Sequence, residues 1–289
     1  MSLRSAGREL LAMDRSDLAL RLVLVALLFA PVGDRWLRPL IVALAALGLL
    51  APSAVRSAAL WAALAALAAL RVVLDWPMPD NHAYLLAYWC LAAAIASSVA
   101  DRAGALAWNG RALVGLTFLF ATLWKVALSP DFLDDRFFRV TLVDDGRMED
   151  FTRLAAGLDE DAFWNLRELV REHADGVFVP WDVMPEQPPR FRALAAAMTG
   201  STVAIEGALA AAFLLPLPER LLLVRHALLL VFCATTYALA PVAGFGWLLL
   251  SMGVAQTAPA WGRLRLAYLA VFALVLLVTR WPWLSVLAG

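Results

Sequence analysis

The chain contains a single lysine, and its position could support proton-transfer chemistry. Lys125 lies near the end of an apolar stretch, GLTFLFATLWKVALSP, in a chain that otherwise uses 23 arginines. Arginine stays protonated in proteins, whereas a lysine removed from water can lose its proton near neutral pH and act as a base. The alternative interpretation is a lysine that snorkels to a membrane interface beside Trp124.

Asn81 and His82 begin another apolar stretch, DNHAYLLAYWC. If nine helices cross the membrane, this stretch starts on the side where the Lys125 stretch ends, so His82 and Lys125 are expected at similar depth near one mouth. His82 could orient or assist a lysine base, and Asn81 could donate an amide hydrogen to a developing oxyanion. The sequence therefore predicts Lys125, His82 and Asn81 as candidate catalytic residues.

A second group of polar side chains lies within two later apolar stretches. Thr202 and Glu206 are four residues apart and share one helix face, and His226 and Tyr237 share a face of the following stretch at an offset of eleven. The two helices are predicted to meet along a polar seam. Such a seam could be structural, with Glu206 bonded to His226 or Arg225, or it could relay protons.

The composition requires a membrane-embedded scaffold for these groups. Hydrophobic residues make up 63% of the 289 residues and the mean hydropathy is +0.75, above the roughly 45–50% apolar content of soluble domains. A span needs about 20 mostly apolar residues, which predicts an all-α transmembrane bundle of eight or nine helices. The predicted spans are 18–33, 38–53, 55–76, 82–100, 109–128, 193–216, 220–240, 242–258 and 264–287.

Charge placement predicts the orientation of this bundle. The arginines of short connections fall mainly on one side, which predicts a cytoplasmic N-terminal segment, 1–17, in a bacterial inner membrane. The chain then divides into spans one to five (18–128), a segment outside the membrane (129–192) and spans six to nine (193–289). The formal net charge of zero argues against a nucleic-acid partner. No phosphate-binding loop, nucleophile elbow or metal-ligand spacing is present in the sequence.

The segment 129–192 is acidic, with fifteen acids and eight arginines. Within it, LDEDAFWNLRELVREHADG predicts an amphipathic helix that is capped by Asp159 and followed by Gly176. Its apolar face comprises Phe163, Leu166, Leu169 and Val170. This face could pack on the bundle as a lid, rest on the membrane surface or only stabilise the segment, and the acidic surface could bind a protein or peptide partner.

Two short motifs resemble a known family. The element Asn81-His82-x-Tyr84-Leu85 at the head of a span, followed by a lysine-ended aromatic helix and then D-F-L-D-D, is similar to vitamin K-dependent gamma-glutamyl carboxylase and to the horizontally transferred transmembrane domain family. The resemblance covers roughly residues 70 to 255. It departs from the family in FATLWKVALSP, which has one lysine rather than two and lacks the preceding Ala-Gly.

The resemblance implies a membrane enzyme with a reduced vitamin K-type quinone as cofactor. It also implies that Lys125 is the base activated by quinol oxygenation and that His82 is its partner. Two other function classes stay open at this point. One is a non-enzymatic membrane protein that binds a partner through its acidic segment, and the other is a small-solute permease with a proton relay through Glu206 and His226.

Overall fold

The computed structural model describes residues 10, 12–29, 32–33, 36–77, 80–174, 187–239 and 242–278. These residues form helices and connecting turns, with no β-strand among them, which confirms the predicted all-α class. The helices are α1 Arg15–Phe29, α2 Leu37–Leu50, α3 Ala58–Leu74, α4 Asn81–Ala96, α5 Arg102–Leu123, α6 Pro130–Leu133, α7 Arg136–Asp144, α8 Glu149–Ala156, α9 Glu160–Ala174, α10 Pro189–Leu214, α11 Glu219–Leu239, α12 Ala243–Ala255 and α13 Gly262–Val278.

Three helices in the described part are long and apolar enough to cross a membrane. They are Arg102–Leu128, Pro189–Leu214 and Glu219–Tyr237, which match three of the predicted spans. Several other predicted spans coincide with apolar helices of 10–17 residues, such as α2 and α3. The structure thus supports a helical membrane protein, and the number of eight or nine spans stays a prediction.

Helix α12 lies at the centre of the larger hydrophobic core. It packs against α1, α4, α5, α11 and α13, and its residues 246–255 are all buried. A helix surrounded on all sides must be apolar around its whole circumference, and the sequence GFGWLLLSMGVA meets that requirement. His82, His226 and Tyr237 lie on helices that contact this central helix, whereas Glu206 and Thr202 lie on α10, which packs against α5.

Polar side chains fix one end of the bundle. The Asp17 carboxylate at the start of α1 accepts hydrogen bonds from Arg102 and from Arg56, the latter at 2.5 Å. Nearby, the Arg265 guanidinium donates to the carbonyl of Met13 at 3.1 Å. The structure thus brings Arg56, Arg102 and Arg265 to the same end of the bundle.

A guanidinium within the bundle also fixes the position of α10 along α5. Arg111 of α5 donates to the carbonyl oxygens of Phe213 at 2.7 Å and Leu215 at 3.0 Å. Carbonyls at a helix C-terminus have no partner within the helix, and cations stabilise that end. Arg111 therefore caps α10 and fixes where α10 ends against α5. Elsewhere, Arg71 of α3 forms an ion pair with Asp75, four residues later.

Helices α6 to α9 form a small cap with its own hydrophobic core, which also includes Phe191 and Ala195 from the first turns of α10. The predicted amphipathic helix is confirmed as α9, and Asp159 Oδ1 accepts a hydrogen bond from the Ala162 amide at 2.8 Å. Phe163, Leu166 and Val170 are buried, so this face packs within the cap. The His173 side chain and residues 175–186, with Gly176, lie outside the described residues.

Candidate functional site

Lys125 is held where α5 and α10 pack side by side in opposite directions. The residues Trp124–Leu128 form a π-helical turn that continues α5. Such wide turns are rare and are frequent at functional sites. Because Arg111 caps the end of α10, the middle of α10 lies beside the end of α5, and this brings Glu206 to Lys125.

The ammonium nitrogen of Lys125 donates a hydrogen bond to Glu206 Oε2 at 2.6 Å. The lysine side chain is 18% exposed and the glutamate side chain 10% exposed. The same nitrogen lies 5.3 Å from the centre of the Phe132 ring, a cation–π distance. An isolated charge within a membrane costs at least about 2.5 kcal/mol, so each partner stabilises the ionised form of the other.

This pair can hold one proton in two places. The proton lies on the amine in the ionised pair and on the carboxyl in the neutral pair. The low dielectric of a membrane interior disfavours separated charges, so the free-energy difference between the two states is smaller there than in water. The neighbours of Lys125 in the same turn include three apolar side chains that are exposed, Trp124, Val126 and Leu128. A lipophilic molecule could therefore approach the pair from the lipid side.

Asn81 and His82 are the first two residues of α4. His82 lines an apolar cleft between α1, α4 and α12, together with residues such as Leu86 and Trp247. A Cβ atom at Gly244 would lie 3.2 Å from the His82 ring, so a glycine there allows the close approach. Asn81 is exposed. No hydrogen bond or ion pair of the described residues joins His82 to Lys125.

The side chains of the predicted polar seam form hydrogen bonds with residues other than those that the sequence suggested. Glu206 bonds to Lys125, whereas His226 Nδ1 shares a hydrogen bond of 2.7 Å with the Tyr268 hydroxyl. The Tyr237 side chain is buried, and its hydroxyl has no hydrogen-bond partner among the described residues. Thr202 is half-buried on α10.

Sequence reasoning missed two partners, Glu206 for Lys125 and Tyr268 for His226. The first had a signal in the sequence. Glu206 and Asp75 are the two acids within the predicted spans, and Asp75 has Arg71 four residues away. Glu206 was thus the acid left to neutralise an intramembrane lysine. Tyr268 had no comparable signal, because no spacing rule links the two distant helices.

The comparisons with known proteins identify no relative. No family model, no curated protein and no solved structure matches the chain. The family resemblance thus rests on the two motifs and the residues that carry them.

Proposed function

We propose that the protein is a membrane-embedded enzyme of eight or nine spans whose acid–base site is the pair of Lys125 and Glu206. In this proposal the chain resembles the membrane core of vitamin K-dependent carboxylase, and a reduced quinone is the lipophilic cofactor. The N-terminal segment lies in the cytoplasm and the cap lies outside, in the inner membrane of a bacterium. The sequence resemblance supports the enzyme class and the quinone, and the positive-inside rule supports the orientation.

The observation that carries the proposal is the 2.6 Å contact between Lys125 and Glu206 on two membrane-length helices. A structural ion pair could use arginine, which is the better partner for a carboxylate. The chain uses arginine at all its other Lys/Arg positions, including the neighbouring helix cap at Arg111. A lysine at this one position supports a role that needs an amine able to lose its proton.

The surroundings of the amine fit a reduced quinone. The ring of Phe132 and the exposed apolar side chains of the π-helical turn offer an aromatic and lipid-facing surface beside a basic nitrogen. When bound, a reduced quinone would supply an acidic hydroxyl and reducing electrons, with molecular oxygen as the oxidant.

Each residue of the pair has a distinct role. In the neutral pair Glu206 holds the shared proton on its carboxyl, and the Lys125 amine accepts a second proton from the hydroxyl of the bound molecule. The resulting ammonium donates a hydrogen bond to Glu206. His82 lines a separate cleft and Asn81 is exposed beside it in the sequence, so their predicted roles require a substrate that reaches from His82 to Lys125.

A second candidate is a non-enzymatic membrane protein that binds a partner through the cap. The observation that favours it is the exposure of large apolar side chains on the acidic cap, with Leu154 at 54% and Trp164 at 41%. Single exposed apolar residues are common on protein surfaces. The enzyme proposal is therefore the one that the buried pair supports better.

The test is protein-dependent oxygen consumption with a reduced vitamin K-type naphthoquinone in lipid nanodiscs. We expect consumption above the rate of empty nanodiscs, and a partial loss in His82→Ala if the cleft helps to position the quinol. The control variant is Tyr88→Phe, because the Tyr88 side chain is exposed. A substitution at buried His226 would disturb the packing and is not a neutral control. A rate for the wild-type protein equal to that of empty nanodiscs would contradict the quinol-linked enzyme.

A further inference from the structure

Arg225 lies in the second turn of α11 and is a buried arginine that pairs with no acid of the described residues. Its side chain belongs to a residue that is 7% exposed, and its Nε–H has no hydrogen-bond partner among those residues. Glu206, which the sequence suggested as a possible partner, forms its ion pair with Lys125. A buried charge requires a partner because its transfer out of water is costly. Arg225 therefore points to a counter-ion from outside the described part of the chain.

The ring of Phe213, one residue before the end of α10, contacts the Arg225 guanidinium. The Cζ atom of Arg225 lies 5.3 Å from the centre of this ring, which is a cation–π distance. The contact offsets part of the cost of burying the charge. A phenyl ring offers no oxygen or nitrogen acceptor to the five N–H donors of a guanidinium. These donors stay available to an anion.

Arg111 approaches the same phenylalanine from α5. Its Nε donates to the carbonyl oxygen of Phe213 at 2.7 Å, and its Nη2 donates to the carbonyl oxygens of Leu214 and Leu215. These hydrogen bonds use Nε and Nη2 and leave Nη1 as a further donor. Two guanidinium groups thus contact Phe213, Arg111 at the carbonyl and Arg225 at the ring, and no carboxylate of the described residues pairs with either.

This pair of arginines lies towards the end of the bundle that is remote from the cap. Helix α10 begins in the core of the cap and runs away from it, so Phe213 lies at the far end. Arg225 follows the first residue of α11 by six residues, a rise of about 9 Å. A long arginine side chain at this depth can reach the headgroup region of a bilayer.

Exposed apolar side chains continue from Arg225 into the bundle. Val224, its neighbour in the sequence, and Val231 are about half exposed. They are seven residues apart and therefore share one face of α11. A molecule whose anionic group binds Arg225 would find an apolar surface directly below it, which is the chemistry of a phospholipid and not of a small hydrophilic anion.

We infer that Arg225 and Arg111 form a binding site for the phosphate of an anionic phospholipid, in the leaflet at the end of the bundle remote from the cap. The N–H groups of Arg225 and the free Nη1 of Arg111 donate charge-assisted hydrogen bonds to the phosphate oxygens. An acyl chain then lies along Val224 and Val231. Basic pockets between membrane helices are known to bind the headgroups of anionic lipids. This inference goes beyond the proposed enzyme, because it uses neither Lys125 nor a quinone.

The experiment is native mass spectrometry of the delipidated protein in detergent, titrated with phosphatidylglycerol and separately with phosphatidylcholine. We expect the dissociation constant for phosphatidylglycerol to be about tenfold weaker in Arg225→Met than in the wild-type protein, since the charge-assisted bonds are lost. Arg263→Met is the matched control, because Arg263 is exposed at the start of α13 and its loss removes the same charge. Its affinity should stay within about twofold of the wild type. Phosphatidylcholine, which carries no net charge, should bind the wild-type protein about fivefold more weakly than phosphatidylglycerol.

Thermal unfolding separates a lipid site from a partner within the protein. Without lipid, the midpoint of Arg225→Met should equal or exceed that of Arg263→Met, because no ion pair is lost and a methionine can keep the contact with Phe213. Phosphatidylglycerol should then raise the midpoint of the wild-type protein and leave that of Arg225→Met unchanged.

Four outcomes would overturn the inference. Equal affinity of Arg225→Met and the wild type for phosphatidylglycerol would show that Arg225 does not bind the lipid. Equal affinity of the wild type for the two lipids would remove the preference for an anionic headgroup. A lower midpoint or loss of folding in lipid-free Arg225→Met would show that Arg225 has a partner within the protein. An equal rise of the wild-type midpoint with inorganic phosphate would assign the site to free phosphate. None of these results bears on the pair of Lys125 and Glu206.

Discussion

Replacing Lys125 with arginine is expected to lower quinol-dependent oxygen consumption by about 10²–10⁴-fold while the protein stays folded. The guanidinium can still donate to Glu206, and it keeps the positive charge that neutralises this buried acid. It cannot accept a proton, because arginine is always protonated in proteins. The substitution therefore removes the base and retains the ion pair.

The measurement compares Lys125→Arg with Arg38→Lys, the reverse exchange at a basic residue of α2 that is remote from the pair in sequence. Both variants should give the same yield and the same elution profile as the wild-type protein. Only Lys125→Arg should lose the activity. If Lys125→Arg retains most of the activity, a fixed positive charge is sufficient at this position and Lys125 is not the base.

Replacing Glu206 with leucine is expected to lower the free energy of unfolding by about 2–3 kcal/mol. Removing one partner of a buried ion pair leaves an uncompensated charge, which costs about 3–5 kcal/mol when burial is complete. The cost is smaller here because the lysine side chain keeps 18% exposure. The double variant Lys125→Met with Glu206→Leu should regain most of the loss, since neither charge then remains.

Equilibrium unfolding in detergent micelles gives the four free energies of this double-mutant cycle. We expect a coupling energy of about 2 kcal/mol between the two positions. Glu219→Leu is the control, because Glu219 is exposed at the start of α11 and its loss should change the stability by about 0.5 kcal/mol or less. Additive effects of the two single substitutions would show that the ion pair contributes nothing to the fold.

Local features of the fold were predictable because neighbouring residues determine them. Asp159 caps α9 as the spacing to its apolar face indicated, and Arg71 pairs with Asp75 one helical turn away. Periodicity and hydropathy also located the three long apolar helices. In each of these cases the sequence separation within a helix sets the distance between the groups.

The pairing of Lys125 with Glu206 was not predictable from position within the spans. Lys125 lies at the end of its apolar stretch, whereas Glu206 lies well inside its own, and equal depth was therefore not expected. The two side chains meet because the C-terminal end of α10 lies against Arg111 of α5, nine residues after the start of α5. Tertiary packing sets this offset between the helices, and hydropathy carries no information about it.

The partner of His226 shows the same limit. Tyr268 lies 42 residues away on α13, and only the arrangement of α11 and α13 around the central helix brings the two rings together. The space for Tyr268 depends on Gly253 of α12. The polar faces predicted α10 as the helix that bonds to His226, whereas the structure places Tyr268 of α13 there.

The most direct test of the acid–base pair is the acylation rate of the Lys125 amine at neutral pH in nanodiscs, compared between the wild-type protein and Glu206→Gln. Lys125 is the single lysine, and mass spectrometry of its peptide separates it from the N-terminal amine. Loss of the carboxylate removes the partner that holds the proton on the amine, so the rate should rise about tenfold in Glu206→Gln. Equal rates in the two proteins would mean that Lys125 and Glu206 do not share a proton, and the proposed site would be wrong.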